Sequence, residues 1–254
     1  MKNFKNFKSE AFSCEFAKNT AILTLKKDAF EVNFETSSMH SFLECLNKIE
    51  MDKNVKGVLL LDPPAYHGVE NIKAFLELLR STKGSYQKEK GVTRFGNSSK
   101  RLTLTFNEFS KPIVVGIEGQ VPIDSFGYFM ACDNIIATSD LSIEFPGLEF
   151  GIIPTGAVTF FLNKEIGPRK TLDICLSGNK IDAKKAKKIG IVSQIVKNNL
   201  LRQTCLDKLQ VYYSHPEQAV IMSKQLIKAR SFDLERFFER STRLMWNAVL
   251  NQTN

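Results

Sequence analysis

Two short segments, Val55–Leu61 (VKGVLLL) and Ile113–Ile117 (IVVGI), are apolar at nearly every position and have proline beside them. A strand with one wet face alternates polar and apolar residues. A run this short and this apolar fits a strand covered on both faces, which requires layers of other structure above and below it. Asp62-Pro63-Pro64 ends the first run, because proline cannot extend a central strand, and Lys111-Pro112 precedes the second.

The remaining periodicities supply those layers. Met39, Phe42, Leu43, Leu46 and Ile49 have helical spacing, as do Val69, Ile72, Phe75, Leu76 and Leu79. Ala11–Phe16 and Ala21–Lys26 read as strands joined by a turn at Lys18-Asn19. Asn134–Thr138 and Leu141–Phe145 are expected as short strands, and Gly156–Ile166 as a helix. Gly167-Pro168 then starts the next helix, with proline suited to its first turn. Asp182–Ile189 reads as a helix closed by Gly190, and Ile191–Val196 as a strand. From Asn198 to Leu250 the pattern is helical, broken at His215-Pro216-Glu217. Lys83–Lys100, rich in Gly, Ser and Lys, is expected as a surface loop. The fold class is therefore α/β, with a core over residues 1–196 and a C-terminal helical module over 197–254.

Composition narrows the function classes. With 254 residues and 43% apolar content, the chain can bury a sizeable core. No apolar run approaches the roughly 20 residues of a membrane span. The basic N-terminus is followed by no signal-peptide core, so a cytoplasmic location and no membrane are expected. Cys14, Cys45, Cys132, Cys175 and Cys205 are widely spaced without a C-x-x-C, and His is scarce. Neither a disulfide framework nor a metal site is expected. The net charge of +8 favours polyanionic partners, among them coenzyme A with its phosphates; the alternative is a solvated lysine-rich surface. Nucleic acid is the weakest of these readings, and rests on Lys83, Lys88, Lys90, Arg94 and Lys100 interleaved with Tyr86 and Phe95.

Lys111-Pro112, Gly119, Cys132-Asp133, Pro146, Gly151 and Pro154 fall in the order and spacing of the central block of the enoyl-CoA hydratase/isomerase (crotonase) superfamily. Leu176-Ser177-Gly178, Ala183, Ala186 and Gly190-Ile191-Val192 resemble the run that follows it. The resemblance implies a spiral of ββα units with a C-terminal helical module that builds trimers or hexamers. It implies an acyl-CoA, or an acyl group on a carrier protein, as substrate, as in fatty acid metabolism. No cofactor beyond the coenzyme A thioester itself is implied. The implied chemistry is stabilisation of a thioester enolate by two backbone N–H groups, an oxyanion hole whose fixed dipoles need little reorganisation. The matching donors are Val69, in His67-Gly68-Val69-Glu70, and Asp124. Lys26 and Lys27 match positions where the family often places bases near the coenzyme phosphates, and Lys224 and Lys228 could act similarly from a neighbouring subunit.

The pattern fails where hydration would occur. Gly127 and Gly147 stand where hydratases carry two glutamates, and glycine accepts no proton. Both positions are still expected to border the substrate. Asp124 replaces a glycine of the oxyanion turn. It reads either as the N-cap of a helix starting at Ser125 or as an acid–base group. Glu149 could share a face with Gly147 if the segment is extended. His67 lies beside the expected oxyanion loop and could act near neutral pH. Tyr128 and Cys132 read as packing. The expected function is an enzyme of this family working through an oxyanion-stabilised enolate, by decarboxylation, isomerisation or hydrolysis and not by ordinary hydration. Two alternatives stay open: a catalytically inactive binding or assembly subunit of the same fold, and polyanion (RNA) binding.

Overall fold

A computed structural model describes residues 9–27, 36–62, 74–75, 77–78, 81–82, 84–228 and 231–251. The first strands, β1 (Phe12–Ala17) and β2 (Thr20–Leu25), form an antiparallel hairpin. Its turn passes through Lys18 at φ 53°. Helix α1 (Thr36–Met51) leads to β3 (Gly57–Leu61). Helix α2 (Ser85–Glu108) leads to β4 (Ile113–Ile117). Then come β5 (Gln120–Pro122), α3 (Ile123–Phe129), β6 (Asn134–Thr138), β7 (Ser142–Glu144) and the single turn α4 (Pro146–Glu149). Next are α5 (Val158–Ile166), α6 (Pro168–Ser177), β8 (Ile181–Asp182), α7 (Ala183–Lys188) and β9 (Gln194–Val196). Helices α8 (Leu201–Tyr213), α9 (Glu217–Lys228) and α10 (Ser231–Asn251) complete the described chain.

Six strands make one sheet in the order β1-β2-β3-β4-β6-β9, parallel after the first hairpin. A small sheet has the order β5-β7-β8. The two apolar runs occupy the middle of the large sheet. Val58, Leu60, Ile113 and Val115 face the main core, while Leu59 and Val114 face Leu201, Cys205 and Leu209 of α8. That two-sided burial is why those strands are apolar throughout. All five cysteines are buried and free. Among the described residues no helix is long and apolar enough to cross a membrane.

The motif residues Lys111 and Asp133 hold elements together. Lys111 is 5% exposed, and its Nζ donates to the carbonyls of Ile49 (2.8 Å) and Asp52 (2.6 Å) at the end of α1. A cation there satisfies orphan carbonyls and complements the helix dipole. Asp133 accepts the Ile113 N–H at 2.7 Å and so fixes the start of β4.

The loop expected over Lys83–Lys100 is instead the first part of α2. Its buried residues Val92, Phe95, Ser99, Leu102 and Phe106 recur at helical spacing and pack on α10 and the core. The polar and glycine positions between them hide that stripe, so packing overrides weak propensity. Lys100 pairs with Glu235 at 3.8 Å and Lys90 lies over the Tyr86 ring. Of the helix expected around Val69–Leu79, most positions lie outside the described residues.

Candidate functional site

Helix α3 is buried along its whole length. Its N-cap is Pro122, with no side-chain cap, so Asp124 sits inside the first turn and the N-cap expected of it is not formed. Proline sets the entry to the helix two residues earlier than Asp124 would. The Asp124 carboxylate reaches sideways, where Oδ1 accepts both the Thr155 N–H and the Thr155 hydroxyl, each at 2.6 Å. Asp124 is only 2% exposed. Loss of water raises its pKa above the ordinary 3.8, and the Thr155 hydroxyl, the Thr155 amide and its own amide oppose that rise. The amide expected to face a thioester oxygen thus already bears on its own side chain.

Thr155 belongs to the segment Ile153–Ala157, which lies over α3. Gly156 has φ 63°, and a side chain on it would collide with the Asp124 carbonyl oxygen. An ideal Cβ on Gly127 would sit 2.5 Å from the Gly156 carbonyl oxygen and 2.9 Å from the Val158 nitrogen. Both are backbone atoms, so the first of the two glutamate positions has no room for any side chain. Gly147 differs. The nearest atoms to a Cβ there are the Ile152 carbonyl oxygen at 3.4 Å and the Ile152 Cβ at 3.5 Å, close to ordinary contact distance.

The extended backbone that would pair Glu149 with Gly147 is absent. Pro146 starts a helical turn, and Glu149 ends it. His67, Gly68 and Val69 lie outside the described residues. Lys26 is exposed at the end of β2, where its Nζ donates to the Ser9 carbonyl at 2.9 Å, and Lys27 follows it half-buried. Lys224 and Lys228 turn onto their own chain, with Nζ atoms 2.6 and 2.7 Å from the Asp133 carboxylate. Cys132 is buried, its thiol pushed up to about 12 by desolvation.

A cavity of about 20 Å³ lies between α2, the Ile153–Ala157 segment and α10, with Ser99, Thr155, Phe237 and Thr242 in its walls. Ser99 shares a 2.9 Å hydrogen bond with the Tyr128 hydroxyl, both groups buried. Tyr128 therefore packs, as expected, and also carries a polar contact at the cavity wall. Thr155 and Ser99 escaped sequence reasoning. The only available signal was the Pro154-Thr155-Gly156 run following Gly151.

A family model described as Enoyl-CoA hydratase/isomerase matches residues 15–248. A protein named Probable enoyl-CoA hydratase from Bacillus subtilis (strain 168) is 30% identical over 150 residues, covering 59% of this chain and 55% of the relative. The Fatty acid oxidation complex subunit alpha of Shewanella frigidimarina (strain NCIMB 400) is 26% identical over 202 residues, 78% of this chain but 28% of that protein. The chain thus matches about half of one curated relative and about a quarter of the other. The enoyl-CoA hydratase from Bacillus halodurans has a similar structure, with a TM-score of 0.82 at 18% identity, covering 94% of this chain and 95% of that one. The chain belongs to the enoyl-CoA hydratase/isomerase family and has its α/β fold.

Proposed function

We propose that this chain binds an acyl thioester of coenzyme A, or an acyl group on a carrier protein, and acts on it through an enolate without the two-glutamate hydration of its relatives. The observation that carries the reading is Asp124. It is a desolvated carboxyl with a raised pKa, beside Gly127, and hydrogen-bonded to a threonine of the cavity wall. A carboxyl whose pKa burial raises holds its proton more readily, and in its protonated form it can return that proton to an enolate carbon. That suits a reaction in which the enolate forms by loss of CO2 and needs no base to remove an α-proton. The backbone N–H of Val69 is a proposed donor to the thioester oxygen, joined by that of Asp124 when substrate draws it from its own side chain, and Lys26 and Lys27 are the proposed phosphate contacts. Gly68 and Gly147 are proposed to border the substrate, with His67 as a further candidate to move a proton.

Calorimetry with butyryl-CoA and turnover of a 2-carboxyacyl-CoA, such as malonyl-CoA or methylmalonyl-CoA, test this together. Saturable binding by the wild type is expected. Asp124→Asn is expected to keep that binding and to lose turnover by about a hundredfold or more, the usual worth of a positioned acid. No acyl-CoA binding contradicts the reading.

The small cavity and the blocked Gly127 favour a second reading, a non-catalytic subunit that uses the fold for binding or assembly. It predicts binding without turnover, and no effect of Asp124→Asn or His67→Ala on that role. Met222, Leu226, Ile227 and Phe232 expose apolar surface on α9 and α10, which supports the proposed trimer or hexamer. Light scattering during gel filtration tests it, and a monomer at micromolar concentration contradicts it.

A further inference from the structure

The C-terminal end of α3 opens on a second space. A cleft of about 700 Å³ lies under α9, about 10 Å along α3 from Asp124 by the rise of a seven-residue helix. Its walls include Met130, Phe160, Phe161, Val220 and Leu234. Its volume is that of a small-molecule site, and apolar walls with a few convergent polar groups are what such sites share. Helix α9 roofs it without burying one of its own residues.

The charge in that wall is unbalanced. Lys224 and Lys228 share a single carboxylate, Asp133, with Nζ–O distances of 2.6 and 2.7 Å. Their side chains are 9% and 18% exposed and that of Asp133 15%. Asp133 is the one carboxylate that bears on Lys224, while Lys228 repels it. Lys224 and Lys228 each also donate to a backbone carbonyl, of Lys111 and Ala131, at 2.7 Å, and Lys164 and Glu165, which line the same cleft, offset each other in charge, so the wall holds one net positive charge. A desolvated charge without a counter-ion is costly, and an anion with an apolar body would relieve both the charge and the open apolar surface.

We propose that this cleft is a ligand site, separate from the family site at Gly127 and Gly147, for an amphiphilic monoanion such as a fatty carboxylate. The head group lies against Lys224 and Lys228, and the chain against Phe160, Phe161 and Val220. The proposal does not depend on the reading of Asp124.

Isothermal titration with dodecanoate tests it on the wild-type chain. One saturable site per chain is expected, at least tenfold weaker for dodecan-1-ol, which keeps the chain and loses the charge. Lys228→Gln is expected to weaken dodecanoate at least tenfold and Val220→Trp to abolish its binding, with butyryl-CoA binding unchanged in Val220→Trp. Absence of saturable dodecanoate binding overturns the proposal, as does equal affinity for the alcohol. One-for-one displacement of dodecanoate by butyryl-CoA also overturns it, because the chain would then lie in the family site. The alcohol comparison needs no variant and so decides even where Val220→Trp does not fold.

Discussion

Gly127 and Gly147 are the two positions that the family resemblance matches to glutamates of hydratases, yet their surroundings differ. Gly127 lies inside a fully buried helix with the Gly156 carbonyl over it, 2.5 Å from where a Cβ would stand. Gly147 lies in a single helical turn with its nearest neighbours at 3.4 and 3.5 Å. One position is closed by the chain's own backbone; the other has room for a Cβ. The difference teaches that the site has been rebuilt on one side. Asp124 and Thr155 hold the Ile153–Ala157 segment against α3, and that closure is what excludes a glutamate at 127.

The largest expected effect tests that closure. Gly127→Glu forces a side chain and a charge into backbone, and is expected to cost more than about 4 kcal/mol or to prevent folding. Urea unfolding followed by circular dichroism measures it, and a stably folded Gly127→Glu protein would remove the asymmetry. Next in size is the other end of α3. Asp133→Asn leaves Lys224 and Lys228 facing each other in a desolvated wall, and a loss of about 3 kcal/mol is expected. A change within experimental error would mean that the clasp holds nothing.

The Asp124 carboxyl gives a smaller, pH-dependent effect of defined sign. Its folded pKa is raised above the ordinary 3.8, so the folded state keeps a proton that the unfolded state has released. Its contribution to stability is full below pH 3.8 and is lost as pH rises through the folded value. Asp124→Asn, which cannot ionise, should therefore gain on the wild type between acidic and neutral pH. Unfolding free energies at pH 4 and pH 7 check this, and a stability difference that moves the other way contradicts the raised pKa. The smallest effect is expected of Gly147→Glu. Gly147 is buried but has room for a Cβ, beside half-buried Leu148 and exposed Gly151, so the variant should fold with a loss of about 1 kcal/mol. A collapse in its thermal midpoint would show Gly147 to be closed as well.

Much of this asymmetry lay beyond the reach of the sequence. The central strands were legible because burial on both faces writes a continuous apolar run, as in Val58–Leu60 and Ile113–Val115. The family core was legible because Lys111, Asp133 and Gly151 keep fixed spacings. Helix α2 was not, since Gly91 and Gly96 lie along it and its buried stripe includes the polar Ser99, and only contact with α10 reveals which positions face inward. Of the two readings that sequence allows Asp124, cap or acid–base group, the cap fails because the carboxylate is drawn to Thr155, thirty-one residues on, a partner that no local rule supplies. The absence of both glutamates could be read directly. That one absence is enforced by backbone and the other is not could be seen only in three dimensions.

Paired denaturation of Gly127→Ala and Gly147→Ala tests the central claim most directly, because each adds one Cβ and no charge. Gly147→Ala should be neutral or stabilising by up to about 1 kcal/mol, through reduced freedom of the unfolded chain. Gly127→Ala should lose at least about 2 kcal/mol, as the Gly156 backbone must move away from α3. That gap is the predicted result; equal effects of the two substitutions would contradict a site closed at Gly127 and open at Gly147.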